Sequence, residues 1–97
     1  MKFIQGNTYK LKVTLTGAIF GTPTISVDKP EQIDVSLSAD GLTVSFAPKV
    51  DNTVEDFAIT WQAQNDPNDT SKVLKLTFSG TDALKAATQG SLDLVAG

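Results

Sequence analysis

The chain has no cysteine and no histidine. Without cysteine there is no disulfide staple, no thiolate nucleophile and no thiolate metal site. Without histidine it lacks the commonest metal ligand and the usual general base near neutral pH. Positive charge is scarce too: 8 Lys and Arg stand against 11 Asp and Glu, a formal net charge of −3, with a pI near 4.6. Phosphate binding needs a basic face, so nucleic acid is not an expected partner. No apolar run approaches the ~20 residues that span a bilayer, so membrane insertion is not expected. The opening Met-Lys-Phe-Ile-Gln-Gly has one Lys and no apolar stretch, and does not read as a signal peptide. The chain is therefore expected to stay where it is made or to leave within a larger assembly.

What is present reads as β-structure. The chain has 97 residues, 40% hydrophobic and 20% charged, the composition of a globular protein. It is read as a single domain over residues 1–97, since two would each be too small to bury a core without disulfides or metal. The most informative stretch is Asp56 to Thr77. Phe57, Ile59, Trp61 and Ala63 alternate with Asp56, Ala58, Thr60 and Gln62. After the polar break Asn65-Asp-Pro-Asn-Asp-Thr-Ser, the residues Leu74, Leu76 and Phe78 alternate with Val73, Lys75 and Thr77. Such alternation on both sides of a turn predicts an antiparallel hairpin with one buried face. The hairpin carries the sole Trp, and the core is expected to form around it.

Upstream, Gly6-Asn7 predicts a turn, because both residues tolerate positive φ. Thr8 to Thr16 predicts a strand with Tyr9, Leu11, Val13 and Leu15 inward and Lys10, Lys12 and the threonines outward. Residues 17–23 read as a loop on Gly17, Gly21 and Pro23 that carries Ile19 and Phe20. Two apolar loop residues either tuck over the end of a sandwich or form a contact patch. Ile25 and Val27 predict a short strand, and Ile33, Val35 and Leu37 the next. Asp40-Gly41 reads as a two-residue type I′ hairpin turn, with a return strand through Leu42, Val44 and Phe46.

Past Gly80 the pattern changes. Thr81 as N-cap, the run Ala83-Leu-Lys-Ala-Ala and Gly90 predict one short helix over 82–89. Leu92, Leu94 and Ala96 then predict a final strand. Short Thr-rich strands joined by Gly, Pro, Asn and Asp turns point to an all-β sandwich, with its core in 6–80 and a helix-and-strand tail in 81–97.

Five segments carry a family resemblance: Gly6-Asn-Thr-Tyr-Lys-Leu-Lys-Val-Thr-Leu-Thr16, Ile25-Ser-Val-Asp-Lys-Pro-Glu-Gln-Ile-Asp-Val35, Ser38-Ala-Asp-Gly-Leu-Thr-Val44, Phe57-Ala-Ile-Thr-Trp-Gln-Ala-Gln64 and Val73 to Ser79. Together, over about residues 6–80, they resemble the bacterial immunoglobulin-like group 2 domain. The resemblance implies an immunoglobulin-like antiparallel β-sandwich of about seven strands, here followed by one short C-terminal helix. Two features depart from it. Lys49-Val-Asp-Asn-Thr-Val-Glu-Asp56 replaces a Gly-containing turn, and the first strand is almost absent. A sandwich short of its first strand has an open edge. Residues 91–96 are expected to fill that edge, in the same chain or in a neighbouring subunit.

Chemistry is thin. Asn65-Asp-Pro-Asn-Asp-Thr70 is oxygen-rich, yet it lacks the spacing, Gly and terminal Glu of an EF-hand and reads as a turn. Asn68-Asp-Thr70 matches the glycosylation sequon, a chance match in a chain with no secretory signal. Asp51, Glu55 and Asp56 read as a solvated loop, since paired-carboxylate glycoside chemistry needs a cleft and a raised pKa. No nucleophile elbow or Ser-x-x-Lys motif occurs. The expectation is a non-enzyme with no catalytic residue, metal or cofactor, whose candidate contact residues are Ile19, Phe20, Leu92 and Leu94.

The resembled modules occur in tailed-phage structural proteins and in bacterial surface adhesins. The expected role is a small phage virion accessory protein, a capsid decoration or head/tail surface subunit. Its partners would be phage capsid or tail proteins, or its own subunits. The alternative is a carbohydrate- or cell-surface-binding module on the bacterial cell surface, with a glycan as partner. That reading needs exposed aromatics, and only Phe3 and Phe20 are expected to be free, because Trp61 and Tyr9 fall on inward faces.

Overall fold

A computed structural model describes residues 4–49 and 56–81 and the backbone of 92–96. Strands β1 (Tyr9–Leu15), β3 (Ile33–Leu37) and β4 (Thr43–Pro48) form one antiparallel sheet, ordered β3-β4-β1. Strands β2 (Phe20–Val27), β5 (Ala58–Gln64) and β6 (Val73–Ser79) form the other, ordered β2-β5-β6. A further strand, β7 (Leu92–Ala96), lies beside β1 and runs parallel to it, from Leu11 opposite Leu92 to Leu15 opposite Ala96. The expected helix over 82–89 lies outside the described residues.

The two sheets share one core. It is built from Leu11 and Val13 of β1, Ile33 of β3, Val44 and Phe46 of β4, Ile59, Trp61 and Ala63 of β5, Phe78 of β6, and Phe57 just before β5. Each of these occupies the inward parity of its strand, as period-two geometry requires. β5 is the central strand of its sheet and alternates without exception, with Ile59, Trp61 and Ala63 buried between half-buried neighbours. Phe57 and Phe46 meet with ring centroids 6.0 Å apart, tilted by 54°, so the sheets join through an aromatic contact as well as through aliphatic area. Tyr9 stacks on Phe46 at 5.4 Å.

Trp61 is fully buried, and its indole nitrogen still needs an acceptor. It donates to the carbonyl oxygen of Gly41 at 2.7 Å. Gly41 lies in the β3–β4 turn, at the end of the opposite sheet, so this one bond ties the two layers. Gly41 has φ +74°, and a Cβ placed there would stand 2.6 Å from Cδ and Cγ of Pro23 in β2. The turn, the indole and the proline thus close on one another. Truncating Trp61 to Ala removes the largest member of this contact, a change that typically costs about 3–5 kcal/mol.

Three local expectations are corrected by the structure. Residues 17–23 are not wholly loop: β2 begins at Phe20, which pairs with Gln64, and a register shift between Phe20 and Thr24 absorbs the breakers. Gly21 at φ +75° supplies the irregularity, and β2 is an edge strand, where a proline such as Pro23 costs no ladder bond. The β3–β4 turn is not the two-residue type I′ form. The Gly41 N–H donates to the Ser38 carbonyl and the Ser38 N–H to the Thr43 carbonyl, so the connection is a four-residue loop over 39–42. The sequence chemistry explains why. The Ser38 hydroxyl donates to the Asp40 carboxylate, which also accepts from Leu42 N–H at 3.0 Å, while Thr43 N–H donates to Ser38 Oγ at 3.0 Å. These local bonds favour the wider turn over the tight one. Leu42, expected on the return strand, precedes it and is half-buried.

Candidate interaction surfaces

The residues singled out for contact do not converge. Ile19 is half-buried and packs against the core, while Phe20 is half-buried as the first residue of β2. Leu92 and Leu94 lie in β7, with their backbone beside Leu11 and Val13 of β1. β2 adjoins β3, whereas β6 adjoins β7. The Phe20 end and the β7 edge therefore lie on opposite flanks of the two layers. A shallow groove runs beside Phe20, lined by Thr22, Thr24, Gln62, Gln64 and Val73. The Gln64 amide in it donates to the Asp66 carbonyl at 2.5 Å, which fixes its plane.

The polar loops are occupied by their own bonds. The Asp66 carboxylate accepts from Asn68 N–H at 2.8 Å and lies 3.6 Å from the Lys72 ammonium. Asp69 accepts from Ser71 N–H at 3.0 Å and Ser71 Oγ at 2.6 Å. The oxygen-rich run 65–70 thus builds the β5–β6 connection, which Asn65 N–H closes onto the Lys72 carbonyl at 3.1 Å. Among the described residues, no three His, Cys, Asp or Glu side chains are grouped to hold a metal ion. Asp51 and Glu55 lie outside the described residues. Asp56 is exposed and pairs with Lys29 at 2.5 Å.

Four of the surface groups, Asp40, Asp56, Asp69 and Lys29, are biased toward their charged forms. Asp40 is held below its ordinary value of 3.8, first by the Ser38 hydroxyl and then by the Leu42 N–H. Asp56 is lowered chiefly by its hydrogen bond to Lys29, and Asp69 by Ser71. Lys29 is raised, chiefly by Asp56. A carboxylate pushed down cannot act as a general acid near neutral pH, and these three all move that way. Beside them Asp28 acts as a clamp, accepting Ala58 N–H at 2.7 Å and donating its own N–H to the Ala58 carbonyl at 3.1 Å. That two-point bond fixes the entry of β5 against the exit of β2.

Two surface features escape a reading of the sequence. Val73, the first residue of β6, is 40% exposed at the mouth of the Phe20 groove. The outer face of the β2-β5-β6 sheet aligns Ser26, Thr60 and Thr77 in one row and Thr24, Gln62 and Lys75 in the next. Alternation marks each of these as outward-facing, but their alignment depends on register, which only the paired strands reveal. No helix among the described residues is long and apolar enough to cross a membrane. Comparison with known protein families, with curated proteins and with solved structures finds no match to this chain.

Proposed function

We propose that this chain is a non-catalytic interaction module with an immunoglobulin-like β-sandwich fold, serving as a small accessory protein on a phage virion. The observation that carries the reading is the strand order. In a constant-type immunoglobulin sandwich, strands A, B, E and D form one sheet and C, F and G the other. With β1 to β6 taken as B to G, the sheets become D-E-B and C-F-G, which are the orders β3-β4-β1 and β2-β5-β6. β7 then stands in the position of strand A and brings the count to about seven. The resemblance to the bacterial immunoglobulin-like group 2 domain supports the same reading. So does the engagement of Asp40, Asp66 and Asp69 in turns and of Lys29 and Asp56 in a surface pair.

Between the two settings of such modules, the burial of Trp61 and Tyr9 favours the virion over glycan binding; of the two aromatics expected to be free, Phe20 is half-buried and Phe3 lies outside the described residues. Trp61 is fully buried with its N–H engaged by Gly41, and Tyr9 is half-buried against Phe46. Neither offers a ring face on which a sugar could stack. The module would act by shape and by its strand margins, with capsid or tail proteins or its own copies as partners. The test is quantitative mass spectrometry of purified particles beside the envelope and cytosolic fractions of the producing cells. Stoichiometric copies in particles are the expected result. Their absence from particles, with enrichment on the envelope, would overturn it in favour of the adhesive module.

A further inference from the structure

Among the Asp and Asn residues of the chain, Asp40 alone is followed by Gly. An Asp-Gly bond is especially open to isomerisation, because no side chain on Gly hinders its nitrogen from reaching the Asp carboxyl. In that reaction the Gly41 nitrogen attacks Cγ of the neutral Asp40 carboxyl. A nitrogen–carbon bond forms, the amide proton and the carboxyl hydroxyl leave as water, and a succinimide ring closes. Water then opens the ring. Opening at the former main-chain carbonyl of Asp40 leaves isoaspartate, in which the chain runs through the Asp40 side chain and is one methylene longer.

In the folded chain each participant is held. Asp40 is exposed to water, whereas Gly41 is buried. The attacking nitrogen commits its proton to the Ser38 carbonyl at 2.9 Å. The Asp40 carboxylate accepts from the Ser38 hydroxyl and from Leu42 N–H at 3.0 Å. Both donors favour the anion, which has no hydroxyl to lose, and they hold Asp40 below its ordinary value of 3.8. The product is opposed as well. The Gly41 carbonyl accepts the Trp61 indole N–H at 2.7 Å. Pro23 closes one side of the Gly41 Cα, where an added Cβ would stand 2.6 Å from its Cδ and Cγ. A succinimide forfeits the bond from Gly41 N–H to Ser38, and the extra methylene of isoaspartate has to enter a chain pinned at Ser38, Trp61 and Pro23.

We propose that the β3–β4 turn guards a modification site of this chain: closed, it keeps Asp40-Gly41 from forming a succinimide, and opened, it releases Asp40 to become isoaspartate. Ser38 is the positioning residue of the guard. Its hydroxyl holds the carboxylate and also accepts Thr43 N–H at 3.0 Å, so one side chain fixes both the reacting group and the start of β4. The change runs one way. Once the chain is lengthened at residue 40, the Gly41 carbonyl no longer meets the Trp61 indole, and the domain keeps a lasting mark of having opened. This inference stands on the turn alone and is independent of the virion reading.

The test ages the full chain at neutral pH below its melting temperature, beside the same chain unfolded in urea at that temperature and pH. Isoaspartate at residue 40 is read by chromatography of the proteolytic peptide with electron-transfer fragmentation, which separates isomers of equal mass. The folded chain should isomerise at least about tenfold more slowly than the unfolded one, since reaction requires a local opening. Ser38→Ala, shown to be folded by its Trp61 emission, should speed the folded reaction several-fold. Ser38→Thr keeps the hydroxyl and should stay near the wild-type rate. Gly6→Ala, destabilised away from the turn, should not speed the reaction. Equal rates in the folded and unfolded wild-type chain would overturn the guard, whether or not the variants fold. A Ser38→Ala rate no higher than that of Gly6→Ala would also overturn it, because global stability and not the turn would then set the rate. The isolated isoaspartate form should unfold at a lower urea concentration than the unaged chain; an unchanged midpoint would overturn the one-way consequence.

Discussion

Gly41→Ala tests whether the closure of Pro23, Gly41 and Trp61 holds the two layers together. Two costs add at this position. The backbone sits at φ +74°, where an L-residue loses about 1–2 kcal/mol relative to Gly. The new Cβ meets Cδ and Cγ of buried Pro23 at 2.6 Å, and overpacking of that kind costs about 1–3 kcal/mol. The expected destabilisation is therefore about 2–5 kcal/mol. For a domain of this size it lowers Tm by about 4–8 °C per kcal/mol. Urea unfolding followed through the fluorescence of Trp61, the sole Trp, measures it directly. Two other glycines separate the terms. Gly6 has φ +94°, and a Cβ added there would meet nothing within 4 Å, so Gly6→Ala should cost only the backbone share. Gly17 has neither a positive φ nor a neighbour within 4 Å, so Gly17→Ala should be neutral or slightly stabilising. In a Pro23→Ala background the steric part of the Gly41→Ala cost should vanish, giving a coupling of about 1 kcal/mol or more. If Gly41→Ala costs no more than Gly6→Ala, the steric closure is not what binds the layers.

Two further outcomes follow from the same geometry. Deleting residues 81–97 removes the strand that covers β1 from Leu11 to Leu15. At about 0.5–1.5 kcal/mol per lost backbone bond, it should lower Tm markedly and speed amide exchange in β1; an unchanged melting curve would count against the role given to β7. Asp40, Asp56 and Asp69 all have lowered pKa values. Their stabilisation is therefore fully present above 3.8, their ordinary value, and is lost as pH falls through the folded values. Lys29, raised above 10.5, contributes below that value and loses its share as pH rises through its folded one. Urea midpoints measured across this range should fall at the acid end, and Asp40→Asn should flatten that fall; identical acid limbs for the two proteins would show that the Ser38–Asp40 turn is not their source.

Alternation carries most of the architecture. Tyr9 to Leu15, Ile33 to Leu37, and Phe57 to Ala63 all place their apolar residues inward, because one buried face imposes a period of two on the residues that fill it. What escapes the pattern is physical in each case. Gly21 and Pro23 look like a loop because breakers act on their immediate neighbours, yet an edge strand tolerates them through a register shift. Asp40-Gly41 looks like a tight turn because the dipeptide favours one. The hydroxyl of Ser38, two residues before Asp40, outcompetes that preference by bonding the carboxylate and receiving the Thr43 N–H. The contact between Pro23 and Gly41 is not legible at all, since it joins residues of two sheets that no local periodicity relates. The candidate surface is the least legible part. Hydrophobicity within a loop singles out Ile19 and Phe20, but Ile19 is claimed by the core, and the place of β6 at the end of its sheet is a property of strand order rather than of any motif.

The placement of β7 gives the fold an uncommon dependence on its own far end. A strand that filled the β1 margin from the N-terminal side would form a hairpin with β1 and run antiparallel. β7 instead arrives after β6, from the other sheet, and runs parallel to β1. Parallel neighbours need a long crossover where antiparallel ones need only a short turn. Here the crossover between β1 and β7 is the whole run from β2 to β6, which includes every strand of the other sheet. The pairing of Leu11 with Leu92 closes nearly the whole chain into a loop. Its entropic cost rises only slowly with length, yet such a contact must wait until the intervening strands are in place. The β1 margin is thus covered by a contact of very high sequence separation, whereas β6 pairs with the strand that directly precedes it in the chain.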